Sequence, residues 1–184
     1  MRVDMQEALE KFKGHMALHK KSFEAISEYL TAEEKCLYVN STVAKITTNL
    51  GSKSKTEKLP GVLCLTDKQI IFAYGALMSH KMYTTNLDNV LMMDIGGDGF
   101  SGGHLEVSTQ MRQFDFLIKY KKEMIREVQL VFDEAIANAK NADAKEGSTV
   151  SFADKIKQIA ELHERGLLTD NEYVVKKKQL LELM

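Results

Sequence analysis

His15 and His19 stand four positions apart, a spacing that on a helix puts two imidazoles on one face, as zinc peptidases require. That chemistry also needs a glutamate directly after the first histidine, and HMALH has Met16 there. The pair therefore reads as surface or seam histidines, and no metal ligand is expected. Cys36 and Cys64 make no CxxC pair and lack histidines at zinc-finger spacing. Both fall on predicted strands, out of register with each other, and read as buried reduced thiols. The run Gly96–Gly103, GGDGFSGG, contains a G-x-G-x-x-G match at Gly97, Gly99 and Gly102. It follows a strand, opens no helix and has no P-loop lysine, so it reads as a strand connection rather than a nucleotide cradle. Serine, histidine and aspartate occur in no nucleophile-elbow setting. The expectation is a non-enzyme with no catalytic, metal-binding or cofactor-binding residues.

Charge offers one alternative chemistry. Lys53, Lys55 and Lys58 decorate the connection expected between the first two strands, where they are candidates for an anionic ligand or a membrane surface. Glu57 lies among them and no arginine does, so a solvated loop is the plainer reading. Lys176-Lys177-Lys178 belongs to a segment whose bases are balanced by Asp154, Glu161, Glu164, Asp170, Glu172 and Glu182. The whole chain carries a net charge of −1, against the basic excess usual in nucleic-acid binders. No nucleic-acid partner is expected.

The elements that must position these residues follow from periodicity. An apolar fraction of 44% over 184 residues suffices for one buried core plus a small extra piece. Residues 1–30 read as helix, with Met5, Leu9, Phe12, Met16, His19, Phe23, Ile26 and Leu30 along one seam. Gly14 weakens its middle, which leaves a break there open as an alternative. That seam packs either on its own domain or on another chain. The basic Arg2, Lys11, Lys13, Lys20 and Lys21 are matched by Asp4, Glu7, Glu10, Glu24 and Glu28, which disfavours a helix lying on anionic lipid. From Cys36 to Ile118 the period becomes that of strands. Gly61–Leu65 and Gln69–Tyr74 form a hairpin about Thr66-Asp67-Lys68, and further strands are predicted at 77–84, 90–95, 104–109 and 113–117. Seven strands imply a sandwich or partly open barrel. A helix over 120–140, with Met124, Val128, Val131, Phe132, Ala135 and Ile136 as its stripe, would close one end. NADAKEGSTV, 141–150, reads as a linker. Residues 151–184 read as a helical hairpin, with Gly166 ending one helix and Thr169 with Glu172 capping the next. The longest uncharged apolar stretch, Ile70–Met78, is too short to span a bilayer. With no hydrophobic leader run, a cytoplasmic location is expected.

Two passages carry family resemblances. GVLCLTDKQIIFAYG, Gly61–Gly75, followed by Thr85-Asn86-Leu87-Asp88-Asn89-Val90, resembles bacterial, YokE-like pleckstrin-homology-like domains. There a glycine, an apolar strand, a Thr-Asp pair and a second apolar strand recur, and Leu87 and Val90 match the inward anchors of the next turn. A basic residue commonly follows the Thr-Asp turn; Lys68 fits, while Gln69 replaces a frequent arginine. The resemblance covers about residues 31–140 and implies an α+β chain: a seven-stranded sandwich or partly open barrel, helix-capped, with an N-terminal helix and a C-terminal hairpin. In phosphoinositide-binding members the loop matching Lys53–Lys58 gathers phosphates. IKQIAELHERGLLTDNEYVVKKKQLLEL, Ile156–Leu183, resembles the short C-terminal domain known as SHOCT, through Leu162–Tyr173, Lys177, Lys178, Leu180 and Leu181. Such modules are generally taken to mediate oligomerisation or partner binding.

These readings converge on a non-catalytic association protein, forming a homo-oligomer or holding an unidentified protein partner. Leu162, Leu167, Leu168, Tyr173, Leu180 and Leu181 are the candidate association surface, because so small a hairpin cannot bury a core alone. Anion or membrane-surface binding through Lys53, Lys55 and Lys58 is the alternative.

Overall fold

The computed structural model describes residues 1–16, 19–50, 53–76, 79–97, 102–118, 122–149, 160, 163, 173 and 176. Two compact units divide the chain, Met1–Lys140 and Asn141–Met184.

The first unit is built on seven antiparallel strands: β1 (Cys36–Leu50), β2 (Lys53–Thr66), β3 (Gln69–Ala76), β4 (Ser79–Asn86), β5 (Met92–Gly97), β6 (Gly103–Ser108) and β7 (Arg112–Ile118). They form one sheet in the order β4-β3-β2-β1-β7-β6-β5. The Phe72 ring on β3 lies 5.7 Å from Phe116 on β7, and Tyr83 on β4 lies 6.2 Å from Phe114 on β7. Laid flat, β3 and β7 would stand about 14 Å apart, three strand spacings, so the sheet must curl around a shared interior. Alternation explains why these residues choose strands. Gly103, Leu105 and Val107 point in and His104 and Glu106 point out on β6, and Ala44 and Ile46 alternate with Lys45 and Thr47 on β1. Helix α3 (Lys122–Thr149) closes one end of the barrel with Ile125, Val128, Phe132, Ala135 and Ile136, successive turns of one helical face. Met124 and Val131 flank that face half-buried. A curled seven-stranded antiparallel sheet in this order, capped by a C-terminal helix, has a pleckstrin-homology-like fold.

On β2, Gly61–Thr66 is buried at every position, because both faces of the sheet are covered there. Leu63 and Leu65 enter the barrel core, while Val62 and Cys64 join Val39, Ile71 and Ala73 in a second core on the outer side. Helices α1 (Val3–Lys11) and α2 (Lys20–Tyr29) supply the cover with Met5, Ala8, Phe23 and Ile26. The N-terminal seam thus packs on its own domain. Gly61 makes the closeness workable, since a Cβ there would meet the Ala73 carbonyl oxygen and sit 2.8 Å from the Phe72 ring.

The helical stretch over 1–30 is two helices, broken around Gly14. Lys13 N–H donates to the Glu10 carbonyl and Gly14 N–H to the Leu9 carbonyl, at 3.0 and 2.7 Å, with Lys13 in the left-handed region at φ 48°. This bond pair ends a helix by satisfying its last carbonyls. The break also takes His15 and His19 off any common helix face, which corrects the paired-imidazole geometry. Phe12 turns away from the outer core into the barrel core. Because left-handed backbone costs a side-chain-bearing residue about 1–2 kcal/mol, Lys13→Gly is expected to stabilise the fold by about 1 kcal/mol, measured as a raised urea midpoint with unchanged slope.

Two further expectations need correction. Lys53–Lys58 is not a loop. It pairs residue by residue with Leu50–Lys45 as an extension of the β1–β2 hairpin; the run lacks apolar alternation because this end projects past the core. Nor is 141–149 irregular: α3 continues through it, in keeping with the helix formers Ala142, Ala144, Lys145 and Glu146.

Candidate functional site

The end of the barrel away from α3 gathers the side chains with most chemical capacity. Register places Lys55, Thr48 and Arg112 side by side across β2, β1 and β7, on the face that two residues further in carries buried Ile46 and Phe114. Strand alternation puts Lys53 and Glu57 on the same face as Lys55. Lys55 Nζ meets Glu57 Oε1 at 2.9 Å, and the Tyr83 hydroxyl donates to Glu57 Oε2 at 3.4 Å. Rings continue inward: Tyr83 stacks on Tyr74 at 5.9 Å, and Tyr74 on Phe72 at 6.0 Å. The Arg112 guanidinium carbon lies 5.2 Å from the Tyr83 ring centre, a cation–π arrangement. Arg112 Nε is buried without a hydrogen-bond partner.

Electrostatics follow from this packing. Burial, then a hydrogen bond with Tyr74, pushes the Tyr83 hydroxyl up to about 12, so Tyr83 stays neutral and acts as a donor. Hydrogen bonding from Lys55, with further help from Tyr83 and Lys81, holds the Glu57 carboxyl below its usual range. Lys53, Lys55, Lys81 and Arg112 thus face one ionised Glu57. The arrangement suits an anionic group at the rim; it contains no nucleophile with an adjacent base.

Of the three lysines singled out in the sequence, Lys53 and Lys55 reach this mouth. Lys58 points to the opposite face, beside Lys45. Lys81, Tyr83 and Arg112 were missed, because only barrel closure brings them alongside β2. In the second unit, Leu162, Leu167, Leu168, Leu180 and Leu181 lie outside the described residues. Tyr173 is half-buried and its ring stacks on His163 at 4.7 Å. Both residues are helical.

The thiols are out of register and reduced, as expected, but closer than register alone would bring them. Cys36 pairs with Thr66 and Cys64 with Val39, yet Sγ–Sγ is 3.6 Å, because a bulge between Cys36 and Tyr38 re-aims Cys36. Both are free and buried. The hydrogen bond with Cys36, together with burial, pushes the Cys64 thiol well above its ordinary range, which suppresses thiolate chemistry. Gly97 and Gly103 are register partners closing a β5–β6 hairpin, so no helix N-terminus follows that glycine run. Among the described residues, no group of three or more His, Cys, Asp and Glu side chains is placed to hold a metal, and no helix is long and apolar enough to cross a membrane.

No family model matches the chain, and no curated protein does. Among solved structures it is similar to the Vps36 N-terminal PH domain, with 16% identity and a TM-score of 0.42 over 59% of this chain and 83% of that one. The C-terminal domain of an unknown protein from Leishmania infantum gives 14%, 0.38, 64% and 94% for the same measures. The PH domain of USP37 gives 13%, 0.37, 53% and 97%. The fold assignment rests on strand order, curl and the capping helix.

Proposed function

We propose that this chain is a non-catalytic, self-associating interaction protein: a rigid pleckstrin-homology-like scaffold carrying a SHOCT-like association hairpin. The observation that supports the reading is the His163–Tyr173 ring stack within a separate unit, Asn141–Met184. A two-helix unit of this size buries too little surface to be stable alone, so its apolar residues gain most by meeting a partner. Leu162, Leu167, Leu168, Tyr173, Leu180 and Leu181 form that surface. The N-terminal helices are not part of it, since their apolar face is already buried on the domain's own sheet. Leu162→Asp with Leu180→Asp is expected to step down the particle mass in light scattering while β-rich circular dichroism and the melting transition persist. An unchanged mass rules the hairpin out as the contact.

A second reading is favoured by one observation: among the described residues, Lys81 and Arg112 join Lys55 near Tyr83 and Glu57, with Lys53 on the same face of β2. On this reading the mouth binds an anionic headgroup at a membrane surface. Each basic side chain near such a surface contributes about 1 kcal/mol. Lys53→Gln with Lys55→Gln should therefore reduce sedimentation with anionic liposomes roughly 30-fold at low salt, whereas Lys58→Gln, on the opposite face, should change little. Equal losses from both variants would place the contact elsewhere.

A further inference from the structure

The two thiols play no part in either reading above. Cys36 and Cys64 lie in the outer core beneath the layer of α1 and α2, with their sulfurs 3.6 Å apart. The Cys36 thiol donates to the Tyr38 carbonyl oxygen at 3.6 Å, which leaves the Cys64 thiol to donate to Cys36 Sγ. A bulge makes this contact. Cys36 sits opposite Thr66, so in a regular ladder it would be a diagonal neighbour of Cys64. Diagonal positions are about 7–8 Å apart, beyond the Cα spacing of about 4.4–6.8 Å usual for a disulfide. Here the register shifts between Cys36 and Tyr38, and a bulge of this kind re-aims a side chain. Closing 3.6 Å to a bonded distance takes about 1.5 Å, which rotation of both side chains can share. The two sulfurs are not equivalent. Cys64 is 0% exposed and Cys36, the first residue of β1, is 3% exposed. Cys36 N–H is held by Asp4 Oδ2 at 2.9 Å, and Asp4 and Lys35 line an open cleft of about 750 Å³ with Arg2, Leu30 and Glu34. The cleft thus reaches the backbone at Cys36. Its hydrogen bond with Cys36, and then burial, hold the Cys64 thiol protonated, so Cys64 is the poorer first nucleophile.

We propose that Cys36 and Cys64 are an oxidation site, closing to an intramolecular disulfide within the folded domain at the expense of a small-molecule disulfide such as oxidised glutathione. Cys36 is covered in the resting domain, so the first step waits on local opening at the cleft. Cys36 then loses its proton to water, and its sulfur attacks one sulfur of the small disulfide. That S–S bond breaks, one thiolate leaves and is protonated, and Cys36 carries a mixed disulfide. Cys64 next loses its proton and attacks Cys36 Sγ; the mixed bond breaks, and the second small thiolate leaves and is protonated. Two protein thiols are oxidised by two electrons, and one small disulfide is reduced to two thiols. Because the two protein sulfurs already touch, the second step is intramolecular and the mixed disulfide is short-lived. The new bond ties the start of β1 to β2 and encloses the whole β1–β2 hairpin between its ends.

Oxidised glutathione tests this on the full-length chain, reduced, freed of reductant and kept in native buffer. Intact mass spectrometry is expected to show the unaltered chain lighter by two hydrogens, with no lasting glutathione adduct. Denaturing non-reducing gels should show single chains. The oxidised form should melt about 5 °C or more above the reduced form, because a cross-link across a loop of this length constrains the unfolded chain. Dithiothreitol should restore the lower midpoint. Cys64→Ser should retain one glutathione on Cys36, since no second thiol displaces it, whereas Cys36→Ser should stay unmodified. If a serine variant does not fold, the mass and melting midpoint of the unaltered chain still decide. An unaltered chain that keeps its full mass, retains glutathione or cross-links to a second chain overturns the proposal. So does an oxidised form that melts below the reduced one. Glutathione held by Cys36→Ser and not by Cys64→Ser overturns the assignment of Cys36 as the attacking thiol.

Discussion

Phe12→Ala is expected to cost about 3–5 kcal/mol, the range for emptying a fully buried aromatic site. Phe12 is 0% exposed, and its ring meets Tyr38 edge-on at 5.0 Å; Tyr38 in turn meets Phe132 of α3 at 5.5 Å. This one side chain joins the N-terminal helical layer to the barrel core and, through Tyr38, to the capping helix. The loss should appear as a lower urea midpoint together with faster amide exchange in α1. Phe12→Leu should recover more than half of it. A cost below about 1 kcal/mol would mean that α1 is an ornament rather than part of the fold.

Thr66→Val should be the other large loss, about 3 kcal/mol. The Thr66 hydroxyl accepts from the backbone N–H groups of Lys68 and Gln69, at 3.1 and 2.9 Å, and donates to Glu34 Oε1 at 2.7 Å. Glu34 is a carboxylate only 3% exposed, and Gln69 Nε2 also donates to it at 2.9 Å. A hydrogen bond to a charged group contributes about 1.5–3 kcal/mol, and stranding buried polar groups adds about 1–3 kcal/mol. Thr66→Ser keeps the hydroxyl and should cost less than about 1 kcal/mol. Near-equal melting temperatures for the Val and Ser variants would show that the hydroxyl network contributes little.

The same turn shows what could be read from residues alone. The Thr-Asp pair was visible as a hairpin signal because short polar residues bond their own backbone in turns. Its second task, tying β2–β3 to the segment before β1 through Asp67 Oδ1 and Lys35 N–H at 2.9 Å, depends on residues over thirty positions apart. Strands with a solvated face were legible by alternation, and Gly61–Leu65 by its continuous apolar run. Gly14 marked the weak point of the N-terminal helix, but the extent of the break was masked because two helices lying on one sheet share the spacing of a single seam, and because Lys13, rather than glycine, takes the left-handed position. The mouth was half legible: Lys53 and Lys55 stood out by charge, whereas Tyr83 and Arg112 gain their meaning only from the curl that sets β4 against β7.

Asp4 illustrates a smaller contact with a clear electrostatic sign. Burial alone would raise its carboxyl, but hydrogen bonds from Arg2 and from Cys36 N–H outweigh burial and hold it below its ordinary value. Arg2 also donates to the Thr31 and Glu34 carbonyls, so the N-terminus is tied to the chain entering β1. A depressed carboxyl contributes stability above its unfolded value and loses it as pH falls through the folded one.

Self-association is the central claim, and the mass of the unaltered chain tests it most directly. Sedimentation velocity across a wide concentration series at physiological salt should show a species at or above twice the 20.8 kDa of one chain, growing with concentration. A single 20.8 kDa species at every concentration would contradict it.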